Sequence, residues 1–186
     1  MTAIVRAGSL ERARALFAGT PVELVAGDLE LPLLGVDPER LREAGDFFHL
    51  AALYDLAAPP EAIRAASVEG TRNALELAGA IGARCFHHVS SVAVAGDHRG
   101  VYAEDDLDVG QGFPTPYQRA KFDAELAVRG QSALPWRIYR PSVIVGDSRS
   151  GAMDKVDGPY YFFKAIARLR HLIPAWVPLV GPEARR

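Results

Sequence analysis

Two hydrophobic spacings alternate along the chain. Short apolar runs rich in β-branched or aromatic residues occur at 3–5, 22–26, 46–50, 84–89 and 136–140. Runs of that length, bounded by proline, glycine or charge, predict strands. Between them, apolar residues recur three and four apart, the spacing of one helix face. Leu10, Ala13, Leu16 and Phe17 predict a helix over 9–18 with Ser9 as its cap. A short helix is predicted over 38–44, and a long one from Pro59-Pro60 to about 81, where Gly82 ends it. A further helix opens at Thr115 or Pro116 and ends near Gly130, and a last one covers 160–172. The stretches 32–37, 96–116 and 141–159 and the tail 174–186 read as irregular.

Strands alternating with helices predict an α/β fold: a doubly wound parallel sheet, covered on both faces, as a single domain over 1–186. In such sheets ligands bind outside the carboxyl ends of the strands. Arg6, Asp28, Ala51-Ala52, Ser90-Ser91 and Pro141 all fall at predicted strand ends. The helix after the fourth strand carries Tyr117 and Lys121, four apart and so on one face. An ammonium beside a phenol stabilises the phenolate and lowers the tyrosine pKa from about 10. Such a phenol can exchange a proton with a substrate oxygen near neutral pH, and a nearby serine hydroxyl can hold that oxygen. The four-residue spacing alone is common. Its place among residues gathered at one sheet edge makes it a candidate site for carbonyl/alcohol redox chemistry, with the hydride left to a cofactor.

Composition narrows the partners. The chain has 186 residues, 49% of them hydrophobic and 24% charged, with a net charge of −2. No global field draws it to nucleic acid. The longest runs without Asp, Glu, Lys or Arg, at 85–96 and 171–182, are 12 residues, too short to span a membrane. With no secretory signal pattern and a single cysteine, Cys85, expected to be buried, the expectation is a cytoplasmic protein. His87 and His88 alternate along a strand and so point to opposite faces, and no metal site is expected. Glu104, Asp105, Asp106 and Asp108 read as a solvated loop on the substrate side rather than a calcium loop. Phe162, Ile166, Leu169 and Ile173 share one helical face, read as packing beside an acyl site in preference to a membrane surface.

Taken together, GDL at 27–29, HLAA at 49–52, VEGT at 68–71, HVSSVAVAG at 88–96, YxxxK at 117–121 and RPSVIVG at 140–146 resemble the extended and atypical short-chain dehydrogenase/reductases. GDLxLPxLG at 27–35 and the stretch 146–163 look like the thioester-reductase and fatty-acyl-CoA-reductase branch. The resemblance implies a Rossmann-like fold with Tyr117 as proton donor, Lys121 tuning it and binding the nicotinamide ribose, and Ser91, not Ser90, as the catalytic serine. It also implies that Asp28 and Leu29 bracket the adenine, that Ala51 and Ala52 line the cofactor, and that Pro141 and Val143 lie by the carboxamide. Arg6 stands where an arginine favours the 2′-phosphate of NADP, with NAD the alternative. The implied substrate is a small acyl thioester or related carbonyl compound, and a homodimer is compatible with the family.

The sequence departs from the family twice. Ser67 stands where the family usually has asparagine. No glycine-rich turn follows a first strand, so the central strand of the order 3-2-1-4-5-6 and part of the C-terminal substrate lobe are expected to be missing. That reading is of a fragment, a mis-assigned start codon or a degenerate gene product. The rival functions are a sugar-nucleotide epimerase/dehydratase or hydroxysteroid-type dehydrogenase, and a non-catalytic remnant that does not bind cofactor.

Overall fold

In the computed structural model the described residues are 1–41, 45–52, 58–153, 160, 162–163, 166 and 168. Five strands form: β1 Thr2–Val5, β2 Glu23–Ala26, β3 Asp46–His49, β4 Cys85–Val89 and β5 Trp136–Tyr139. Each lies within its predicted run or one residue beyond it. All ladders are parallel, as the crossover helices require. They make two sheets, β1-β2 and β3-β4-β5. Thr2 to Val5 register with Glu23 to Ala26, Asp46 to His49 with Cys85 to His88, and Phe86 to Val89 with Trp136 to Tyr139. Among the described residues no ladder joins β1 to β3.

The helices are α1 Leu10–Leu16, α2 Pro60–Arg64, α3 Gly70–Ala80 and α4 Pro116–Gly130. They differ from expectation in three respects, each for a local reason. Ser9 does not cap α1 with its side chain, because it closes a 3-10 turn, Ala7–Ser9, that leads into the helix. The helix ends at Leu16, not 18, because Thr20 turns back and bonds the Phe17 carbonyl through both its N–H (3.0 Å) and its hydroxyl (2.7 Å). The long helix is interrupted between α2 and α3 by a π turn, Ala65–Glu69, where the Thr71 hydroxyl donates to the Ser67 carbonyl at 2.6 Å. At α4 the expectation holds in detail. Thr115 is the N-cap, Pro116 the first helical residue, and Thr115 and Gln118 form a reciprocal capping box.

One hydrophobic core serves both sheets. Val25 of β2, Leu34, Val36 and Leu41 after it, Ala74, Leu77, Ala78 and Ile81 of or beside α3, Phe86 of β4 and Val128 of α4 pack together. The face of α3 at 74, 77, 78 and 81 thus holds the two sheets on one support. Cys85 is half-buried rather than buried. The chain divides into two compact units, Met1–Ser142 and Val143–Arg186. In the second, Tyr160, Phe162, Phe163, Ile166 and Arg168 are helical, and Phe162 and Ile166 are exposed. The predicted partners Leu169 and Ile173 lie outside the described residues.

Candidate active site

Strand β4 runs out through Val89 and delivers Ser90 and Ser91 at its carboxyl end. Alternation along the strand gives the two hydroxyls different tasks. Ser90 is 3% exposed, and its hydroxyl donates to Glu125 Oε2 at 2.8 Å. Ser91 is half-buried and opens a 3-10 turn, Val92–Ala95, its Oγ accepting from the Ala93 N–H at 3.1 Å. The turn ends at Gly96, whose φ of 57° and ψ of −126° suit glycine. A Cβ there would run into the Gly112 carbonyl, so the closure behind Ser91 depends on that residue.

Helix α4 packs against this turn. Tyr117 sits in its first turn, half-buried, and Lys121 one turn later, 5% exposed. The Lys121 ammonium donates to the Val89 carbonyl at 3.2 Å. Burial holds it below the usual lysine value. On the other side of β4, the Ser90 N–H donates to the Tyr139 carbonyl at 2.8 Å and the Val92 N–H to the Pro141 carbonyl at 3.2 Å. The structure thus gathers Ser91, Lys121 and Pro141 around the end of β4, with Tyr117 on the same helix as Lys121. Ala51 and Ala52 leave the end of β3, the neighbouring strand.

Arg6, Asp28 and Leu29 lie at the carboxyl ends of β1 and β2. The Asp28 carboxylate accepts from the Glu30 N–H at 3.0 Å, and its own N–H donates to the Leu34 carbonyl at 2.9 Å. Leu33 and Leu34 adopt left-handed backbone, φ 51° and 57°, within the 3-10 segment Pro32–Gly35 that replaces the predicted loop. Two residues of α3 anchor Asp28-Leu29. Asn73 donates from its amide to the Leu29 carbonyl at 2.7 Å, and a Cβ on Gly70 would meet the Leu29 side chain at 3.0 Å. Val143 is exposed and belongs to the second unit.

Sequence reasoning missed Glu125, the hub beside the site. It is fully buried, and both its oxygens are bonded: to Ser90, to Arg140 Nη2 at 2.6 Å and to Arg129 Nε at 3.1 Å. The two arginines continue into the acidic segment, where Arg129 donates to the carbonyls of Glu104 and Asp105 and Arg140 to those of Ala103 and Asp106. The predicted solvated loop is therefore bound by its backbone to α4. The signal for Glu125 was present: it stands four residues after Lys121 on an otherwise apolar face.

A second buried cluster lies behind Lys121. His87 and His88 point to opposite faces as expected. The His87 ring stacks on Phe48 and Tyr139, the His88 ring on His49 and Phe86. His49 Nε2 pairs with Thr71 Oγ1 at 3.1 Å. Burial pushes His49 down to about 3, helped by His88 and Lys121; burial and then Lys121 push His88 down to about 3 as well. Both rings are neutral at ordinary pH.

A family model described as "Male sterility protein", an NAD-binding domain, matches residues 3–179. A non-canonical nonribosomal peptide synthetase, hkm10, of Aspergillus hancockii is 31% identical over 159 residues, 77% of this chain and 15% of its own length. The L-2-aminoadipate reductase of Schizosaccharomyces pombe is 29% identical over 157 residues, 73% of this chain and 11% of its own. The crystal structure of the terminal R domain from the myxalamid PKS-NRPS biosynthetic pathway superposes with a TM-score of 0.76 at 30% identity, over 90% of this chain and 48% of that one. The chain thus spans a small part of these curated relatives and about half of the solved domain.

Proposed function

The chain belongs to the male sterility protein family of NAD-binding domains, and on that premise we propose that its site performs NADP-dependent reduction of an acyl thioester to an aldehyde. The observation that carries this reading is the buried Lys121, fixed to the Val89 carbonyl at the strand end that also presents Ser91, one helical turn from Tyr117. The donor set suits a nicotinamide dinucleotide at its two ends. At one end Lys121 and Ser91 offer hydrogen-bond donors and Pro141 backbone close to them. At the other, Leu29 offers an apolar surface, Asp28 a carboxylate for hydroxyls and Arg6 a cation for the 2′-phosphate that distinguishes NADP. A reduced nicotinamide, when bound, supplies the hydride.

As hydride reaches the thioester carbon, the carbonyl oxygen gains negative charge. Ser91 and Tyr117 hold that oxygen by their hydroxyls, which is worth most where charge develops. Lys121 stabilises the phenolate left when Tyr117 gives up its proton. As the tetrahedral oxyanion collapses and the carbon–sulfur bond breaks, the Tyr117 proton passes to the departing sulfur, leaving the aldehyde and a thiol, and the phenolate regains a proton from solvent. Glu125 and Arg140 keep Ser90, and through it Ser91, in place. A cytoplasmic location and a dimer are compatible with this reading.

Initial rates of NADPH oxidation with a short acyl-CoA thioester test the proposal. Thioester-dependent oxidation is expected, and its loss in Lys121→Met is expected too. Conversion of a sugar nucleotide with no net oxidation of NADPH would point instead to the epimerase/dehydratase reading. A second reading, a chain that keeps the proton-transfer residues without binding cofactor, draws on the unjoined sheets and the missing glycine-rich turn. That second reading expects weak NADPH affinity in residues 1–186, and calorimetric binding in the micromolar range would sink it.

A further inference from the structure

The buried cluster behind Lys121 holds polar atoms that the reading above does not use. His88 is 2% exposed, yet among the described residues neither of its ring nitrogens has a hydrogen-bond partner, and the Ser67 hydroxyl, equally buried, has none either. Buried polar groups are nearly always hydrogen-bonded, so two such side chains in one place need an explanation. They lie in one patch. Ser67 sits in the π turn, its carbonyl accepting from Thr71; Thr71 reaches His49; the His49 and His88 rings stack at 5.5 Å between centroids. Lys121 bonds the carbonyl of the residue next to His88 and has further N–H groups to place.

We propose that His88 is a positioning residue for Lys121: a water enclosed among His88, Ser67 and the Lys121 ammonium carries a hydrogen bond from the lysine to the histidine ring. Such a water needs two to four polar partners, and these three side chains provide them. The ring is suited to accept, because it is neutral and a neutral imidazole has one acceptor nitrogen. Every charged or titratable group facing it fits this assignment. From β3 it meets His49, also neutral and committed to Thr71; from α4 it meets Lys121; Glu125, further along α4, is committed to Ser90, Arg129 and Arg140. Ser67 and Thr71 add only hydroxyls. The consequence is that His88 stabilises the charged lysine in a place where burial alone opposes the charge.

The inference takes its functional meaning from the reading of Lys121 as partner of Tyr117, and its test is independent of activity. The sequence has three lysines, Lys121, Lys155 and Lys164. Lysine-selective isotope labelling of the whole chain therefore gives three side-chain signals, and Lys121→Arg assigns one. In His88→Phe the Lys121 acid dissociation constant is expected to rise about tenfold or more, the size of one hydrogen bond to a charged group. His88→Gln, which keeps an acceptor, is expected to restore most of the wild-type value. Ser67→Ala, a milder change that keeps the ring, is expected to shift Lys121 in the same direction by less. If His88→Phe does not fold, the Gln and Ala variants carry the test. A Lys121 titration that is the same in Ser67→Ala, or that moves in His88→Gln as far as in His88→Phe, overturns the assignment. Wild-type protein without thioester-dependent NADPH oxidation would sink the reductase reading and leave this result standing.

Discussion

Two buried polar clusters flank the end of β4, and they are built on opposite principles. Around Glu125 every charge is matched: the carboxylate bonds Ser90, Arg129 and Arg140, and the arginines use their other donors on loop carbonyls. Around His88 the groups are neutral or cationic, and two side chains lack partners among the described residues. A fully satisfied network fixes one geometry, while a partly satisfied one leaves freedom for a proton or a water to move. The first cluster is scaffold for Ser90 and for the loop carbonyls at 103–106. The second adjoins Lys121, bonded to the Val89 carbonyl. Substitutions should separate them, because one should respond in stability and the other in titration.

The largest effect is expected at Glu125. Removing it leaves two partly buried arginines and a serine hydroxyl without their common acceptor, at a cost of ~3–5 kcal/mol. Urea unfolding of Glu125→Ala should show that loss, and Glu125→Gln, which keeps acceptor and donor, a smaller one. Next comes pH. His49 and His88 have folded values near 3 against about 6.5 unfolded. Between those values the unfolded chain holds protons that the folded chain does not, so stability is complete above about pH 6.5 and falls as pH drops toward 3. The slope is roughly 1.4 kcal/mol per pH unit for each ring. Urea midpoints at pH 6.5 and pH 5.5, between which the two rings together account for up to about 2.8 kcal/mol, should show it, and His49→Phe should remove about half.

Smaller again is Gly96→Ala, which forces a side chain into a glycine-favoured backbone against Gly112, at ~1–3 kcal/mol. A thermal melt measures it, and a drop in thioester turnover beyond the loss of folded protein would show Ser91 displaced. The smallest is Thr115→Ala, which removes the cap of α4 for about 1 kcal/mol. An unchanged denaturation midpoint there would mean that tertiary packing, not the capping box, holds the start of the helix that carries Tyr117.

What the sequence made legible follows from what is local. Strands announced themselves by short apolar runs, and α4 by Thr115-Pro116, because strand burial and helix starts are nearest-neighbour physics. The opposite faces of His87 and His88 followed from strand geometry alone. What stayed hidden depends on partners distant in sequence. Glu125 meets Arg140 only when β5 lies beside β4, and Asn73 meets Leu29 only when α3 crosses the first sheet. The π turn at 65–69 and the left-handed Leu33-Leu34 have no composition signature, since packing imposes both. Ser91 and Ser90 were told apart by motif alone; in the structure the Ser90 hydroxyl donates to Glu125, and the Ser91 hydroxyl accepts from the Ala93 N–H.

The central claim is that Tyr117 gives the proton at a site that reduces thioesters. Tyr117→Phe removes one hydroxyl and little else, so the direct measurement is thioester-dependent NADPH oxidation in this variant and the wild type, with NADPH affinity determined alongside. The account predicts activity in the wild type, at least a hundredfold loss on substitution, of the order carried by a general acid, and unchanged NADPH affinity. Wild-type turnover surviving in Tyr117→Phe would contradict it.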